Sequence, residues 1–229
     1  MTITTSTLTR AASVAAVAAG LIFIGVQINH PHLDATAITT TEMAVRSSLK
    51  VMMAALALVG ITGMYLHQVK KMGVLGLVGY VLFAANYLVI MSTSFVAAYV
   101  LPSIAESNPS YVNDVLTVAA GGHATGDIGL LKTVLAVEGA LFLGGGLVFG
   151  IALFRARVLP RWAAALLAVG GVVTAALTVM PDAFYRLLAF PNSIALIGLG
   201  YSLWLSARTD TPAQPSAVDT RLLTVTGAE

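Results

Sequence analysis

The chain has no cysteine among its 229 residues. That absence excludes disulfides, thiolate metal sites, cysteine nucleophiles and CxxC redox chemistry. Charge is also scarce. Asp, Glu, Lys and Arg make up 10% of the chain, against about 25% in soluble domains. The net charge is only +2 and the basic residues form no block, so nucleic acid is not an expected partner. HExxH, GxSxG, phosphate-loop and DDxxD-type patterns are missing as well, which argues against a metal-dependent or serine-nucleophile enzyme.

What is present is hydrocarbon. Hydrophobic residues are 58% of the chain and mean hydropathy is +0.89. A soluble fold this apolar could not cover its own surface, whereas lipid tails are a compatible solvent. The expected fold is therefore an all-α polytopic bundle with the lipid bilayer as its first partner. A spanning helix needs about 20 apolar residues, and six segments qualify: 11–28, 47–66, 74–101, 131–154, 162–180 and 184–205. Residues 1–208 then form one transmembrane domain. The polar stretch 209–229, with Pro212 and Pro215, reads as a disordered cytoplasmic tail. The first segment has the small residues of a signal peptide, but its apolar run continues through LIFIGV, which suits an anchor.

Lys and Arg in short connections set orientation. Lys70 and Lys71 follow the second segment, and Arg155, Arg157 and Arg161 follow the fourth. With six alternating spans these fall on one side together with Arg10 and Arg208. The other side collects Asp34, Glu42, Glu106, Asp114, Asp127 and Asp182. Both termini are thus expected inside, at the plasma membrane. In the long outer connection, Val112, Val115, Leu116 and Val118 fit one face of a short helix lying on the membrane surface.

Gly73, Gly76 and Gly79 recur at three-residue spacing, and Gly146 and Gly150 are four apart. Small residues at this spacing let helices approach closely. Gly144–Gly146 also offers a place for the fourth helix to bend.

Against this background a few polar residues stand out. Glu138 sits inside LLKTVLAVEGALFLGGG, roughly 8–15 Å below the outer boundary at helical rise. An acid at that depth is a functional-site candidate by default, either a general acid or a protonation switch. Lys132 is six residues away and off its helical face, so a partner must come from another helix. Lys50, backed by Arg46 one turn earlier, is the expected one. Asn86, Tyr87, Arg186 and Asn192 complete the candidate binding set, and Ser92, Thr93 and Ser94 lie further out. Each has a plainer reading. Arg46, Lys132 and Arg186 can snorkel to the interface, Asn86 and Asn192 can bridge helices, and Glu138 can be a silent ion pair. His30, His32 and Asp34 in NHPHLD suit a solvated turn around Pro31 better than a metal site, and His123 lies in the long outer connection. No metal and no cofactor are expected.

The segments AAGLIFIGVQINHP and LFLGGGLVFGIALFRARVLPRWAAALLAVGGV resemble a domain-of-unknown-function family of small multi-pass membrane proteins of actinobacterial type. The resemblance implies the six-helix architecture and transfers no catalytic residue. Three functions fit the residues. One is a proton- or cation-coupled binding protein or transporter for a hydrophobic or small polar ligand, assembled as a homodimer because six short helices are few. Another is an intramembrane enzyme acting on a lipid or isoprenoid, with Glu138 as general acid. The third is an accessory or structural membrane protein.

Overall fold

The structure is a computed structural model that describes residues 4–173 and 189–209, and every regular element among them is helical. The helices are α1 (Thr5–Gly25), α2 (Thr41–Phe95), α3 (Leu101–Ile104), α4 (Pro109–Ala119), α5 (Leu131–Ala156), α6 (Arg161–Val173) and α7 (Ala189–Thr209). A 3-10 turn, Ala37–Thr39, precedes α2, and a π turn, Val96–Val100, follows it. Among the described residues three helical runs are long and apolar enough to cross a membrane: Thr5–Gly25, Thr41–Ile104 and Leu131–Ala156. The expected Arg186 and Asp182, the junction of the fifth and sixth segments, and the tail beyond Thr209 lie outside the described residues.

The helix ends follow local chemistry. Thr4 caps α1 by accepting from the Thr7 amide at 3.2 Å, and Thr40 caps α2 through the Met43 amide at 3.3 Å. Long α2 is two limbs, 41–67 and 74–95, broken at Gln68 (φ −132°) and Gly73 (φ 57°, ψ −156°). Only glycine adopts the Gly73 conformation without strain, so one residue reverses the chain. The limbs are held together where Tyr65 stacks on Tyr80, with centroids 4.6 Å apart, and the Thr62 and Tyr80 hydroxyls meet at 3.0 Å. The π turn ends just before Pro102, which has no N–H to continue the α ladder.

Around the bundle, α1 packs on the first limb and on α7, the second limb packs on α5, α5 on α6, and α6 on α7. Small residues set these approaches. A Cβ at Gly145 would lie 2.7 Å from the Phe83 backbone, and one at Gly60 would lie 2.8 Å from Ala16 Cα. Gly146 and Gly171 face each other in the same way. The bend expected at Gly144–Gly146 does not occur: α5 runs unbroken, with Gly145 and Gly146 wedged against the second limb and α6. Between the helices Phe83, Tyr87, Phe149, Ile61, Met64, Leu153, Leu167, Leu196, Leu199 and Leu203 are fully buried in one core.

A second, smaller core covers one end. The apolar face of α4 is present, as its spacing predicts, but Val112, Val115 and Leu116 bury against Ile38, Met43, Leu101, Ala105 and Ile128. The face expected to lie on lipid instead closes a cap over the bundle. The Asn113 amide oxygen accepts from the Ala35 amide at 2.7 Å, tying α4 to the first connection. Asp114 fixes the chain beyond α4. Its carboxylate accepts from the Thr125 amide at 2.8 Å, the Gly126 amide at 2.9 Å and the Thr125 hydroxyl at 3.0 Å.

These bonds hold the Asp114 pKa below the ordinary aspartate value, the Thr125 amide contributing most and desolvation opposing it. A carboxylate depressed on folding stabilises the cap above its unfolded pKa. That contribution is lost as pH falls through the lower, folded value. Proteolysis within residues 120–129 should therefore rise on acidification, and Asp114→Asn should show the same loosening already at neutral pH.

Acidic residues are segregated along the bundle, while Arg46, Lys50 and Lys132 join them at the capped end. Ser6 and Arg10 of α1 reach the Ala207 carbonyl near the end of α7, and the 68–73 turn lies beside Ala152 and Arg155. Arg10, Lys70, Lys71, Arg155, Arg157, Arg161 and Arg208 thus share one end. Among the described residues no Asp or Glu lies there, while Asp34, Glu42, Glu106, Asp114 and Asp127 are at the capped end.

Candidate functional site

Glu138 stands on α5 two turns in from its capped end and faces the second limb of α2. Its Oε2 accepts from the Thr93 hydroxyl at 2.8 Å. Thr93 and Asn86 are seven residues apart, so they share a stripe on that limb with Gly79. Gly79 abuts the Phe149 backbone of α5, which fixes the register and brings Thr93 opposite Glu138. The glycine contacts deeper in the seam thereby set the geometry of the acid.

Lys50 comes to the same depth from the first limb. From the Thr62–Tyr80 contact, Lys50 is 12 residues outward on one limb and Thr93 is 13 outward on the other, both roughly 18–20 Å at helical rise. The ammonium lies on the Glu138 side of the bundle, beyond direct ion-pair distance from the carboxylate. Its Nζ also stands 3.5 Å from His30 Nε2. His30 Nδ1 lies 2.9 Å from the Pro31 carbonyl, and a carbonyl only accepts. Nδ1 therefore carries the proton and Nε2 is left to accept from Lys50. Asn29, in a left-handed conformation (φ 49°), turns the chain so that His30 folds inward and is 9% exposed. Imidazole, ammonium, hydroxyl and carboxylate from four separate segments form one polar series at the edge of an apolar core.

The other candidates are distributed differently. Arg46 binds elsewhere: it pairs with Glu42 at 2.8 Å and donates to the carbonyls of Val26, Ile28 and Asn29 at 2.9–3.1 Å. It caps the carbonyl end of α1, a favourable place for a cation. Lys132 is exposed at the start of α5. Asn86 and Tyr87 are buried about two turns deeper than Glu138, and neither the Asn86 amide nor the Tyr87 hydroxyl has a hydrogen-bond partner among the described residues. Asn192 is buried without a partner too, but on the α6–α7 seam, against Gly170. His32 and His123 are exposed, and the Asp34 carboxylate is occupied by the amides of Thr36 and Ala37. Among the described residues no three His, Asp or Glu converge. A groove of about 360 Å³ lined by Gly25, Val26, Thr41, Glu42, Val45, Arg46 and Leu49 opens beside the cluster, and Glu138 does not line it.

Thr93 and His30 are visible in the sequence as groups near the site, but neither belongs to the expected binding set. Thr93 had a usable signal, its seven-residue spacing from Asn86. His30 had none, because its inward turn depends on one backbone angle at Asn29.

No protein-family model, no curated protein and no solved structure matches the chain.

Proposed function

We propose that the chain is a six-span plasma-membrane protein with both termini cytoplasmic. In this reading it binds a small polar ligand, a proton or a cation from outside at His30, Lys50, Thr93 and Glu138, and couples that binding to transport. The observation that carries the reading is that a carboxylate, an ammonium and an imidazole come from distant segments to one depth, with the ammonium 3.5 Å from the imidazole and the carboxylate bonded to Thr93. Packing alone does not require charged groups there, and intramembrane ionisable groups mark substrate and proton routes. The outward orientation is supported by the larger share of Lys and Arg, among the described residues, at the end opposite the acids, since Lys and Arg favour the cytoplasmic side.

Glu138 is the exchangeable group. The groups facing it are Lys50 from the first limb and Thr93 from the second, with Lys132 above it on α5. His30 adjusts Lys50 from behind. A proton or cation arriving at Glu138 competes with the Lys50 ammonium for one carboxylate, which couples occupancy to the packing of α2 against α5.

Wild-type protein in nanodiscs should exchange a proton that the Glu138→Gln protein does not, read with an indicator in weak buffer. His30→Gln should shift that exchange without abolishing it. Identical proton exchange by wild type and Glu138→Gln would leave a silent structural pair.

A further inference from the structure

The end opposite the cap carries a second built feature. The 68–73 turn and the end of α5 enclose a groove of about 290 Å³ lined by Lys70, Lys71, Met72, Gly73, Val74, Leu75, Ala152 and Arg155. Three cations from two separate segments converge on it, and none has an ion-pair or hydrogen-bond partner among the described residues. All three side chains are exposed, whereas Met72 and Ala152 are buried and form an apolar floor. Val74, 78% exposed, and Leu75 project from the rim at the start of the second limb. The first-turn amides of a helix lack intrahelical partners and favour an anion.

From this arrangement we infer that the groove binds the phosphate headgroup of an anionic phospholipid, with Val74 and Leu75 against its acyl chains. Three like charges held together with no acidic partner among the described residues call for an anion. The rim selects its source: a soluble phosphate has no use for exposed valine and leucine beside the cations, whereas a lipid presents phosphate and hydrocarbon in that order. Basic pockets between spanning helices bind such headgroups by the same logic. The positive-inside orientation proposed for the chain puts the groove in the cytoplasmic leaflet, but headgroup binding itself does not depend on that orientation or on Glu138.

The test is retention of phosphatidylglycerol over phosphatidylcholine by the full chain, taken from mixed bilayers into detergent and read by native mass spectrometry. Wild type should retain phosphatidylglycerol preferentially. Each of Lys70→Gln, Lys71→Gln and Arg155→Gln should weaken the preference about fivefold, and the triple variant about a hundredfold. The control triple Arg157→Gln, Arg161→Gln and Arg208→Gln removes equal charge from the same end outside the groove and should keep the preference. An equal loss in both triples would show diffuse surface attraction and overturn the site. Displacement of the lipid by inorganic phosphate, with phosphate then retained, would overturn the lipid as its occupant. Monodispersity of every variant separates lost binding from lost fold.

Discussion

Leucine at Gly145 is expected to separate the second limb of α2 from α5, whereas leucine at Gly139 is expected to leave the protein intact. Six residues on the same helix divide these outcomes. At Gly145 a Cβ alone would meet the Phe83 backbone at 2.7 Å, and backbone cannot swing aside as a long side chain can. At Gly139 nothing lies within 4 Å. Overpacking typically costs about 1–3 kcal/mol, and a contact against buried backbone belongs at the upper end. The seam also sets the register that carries Thr93 to Glu138, so the loss extends beyond stability. Gly145→Leu should lower the thermal transition in detergent and broaden the gel-filtration peak, and Gly139→Leu should change neither. Similar behaviour of the two would mean that the α2–α5 seam is not held by backbone proximity.

Lys50→Met is the next effect in size. Lys50 and Glu138 are both partly buried and lie beyond direct ion-pair distance, so removing the ammonium is expected to cost about 1 kcal/mol, the upper end for pairs still reached by solvent. Glu138 would keep the Thr93 hydroxyl, a single neutral donor in place of a cation. The double variant Lys50→Met with Glu138→Gln removes both charges and should recover most of the loss, so the cycle reads out the coupling directly. Arg46→Met should behave independently of Glu138, because Arg46 is engaged with Glu42 and the carbonyls at the end of α1. A double variant no better than Lys50→Met alone would mean that Lys50 acts on some other group.

The apolar runs within Thr5–Gly25, Thr41–Ile104 and Leu131–Ala156 were legible in the sequence because bilayer thickness dictates their length, and the reversal at VKKMG was legible because lysines and glycine interrupt hydrocarbon. The face of α4 could be read from its spacing, but what covered it could not. Whether Val112, Val115 and Leu116 meet lipid or Ile38 and Met43 depends on the path of two connections, and composition is silent on that. The same limit applies around Glu138. Helical spacing disposed of Lys132 and pointed to Lys50. The directly bonded Thr93 followed from an interhelical register that Gly79 and Gly145 set from deeper in the seam. Arg46 is expected from the sequence to back Lys50 from their shared face, yet one turn decides between capping α1 and facing the acid. The glycines were readable as packing in kind, not in partner: Gly79 and Gly146 meet other helices, Gly76 meets its own Met72, and Gly73 makes the turn.

Under the proposed function, Glu138 exchanges with the outer aqueous phase through the polar series that begins at His30. The direct measurement is an infrared difference spectrum of the protein in sealed vesicles of uniform, right-side-out orientation, with pH stepped on the outer face alone. A carboxyl signal should follow outer pH, vanish in Glu138→Gln and be displaced in His30→Gln. A carboxyl signal that follows only the inner pH, or one that persists in Glu138→Gln, would contradict that exchange.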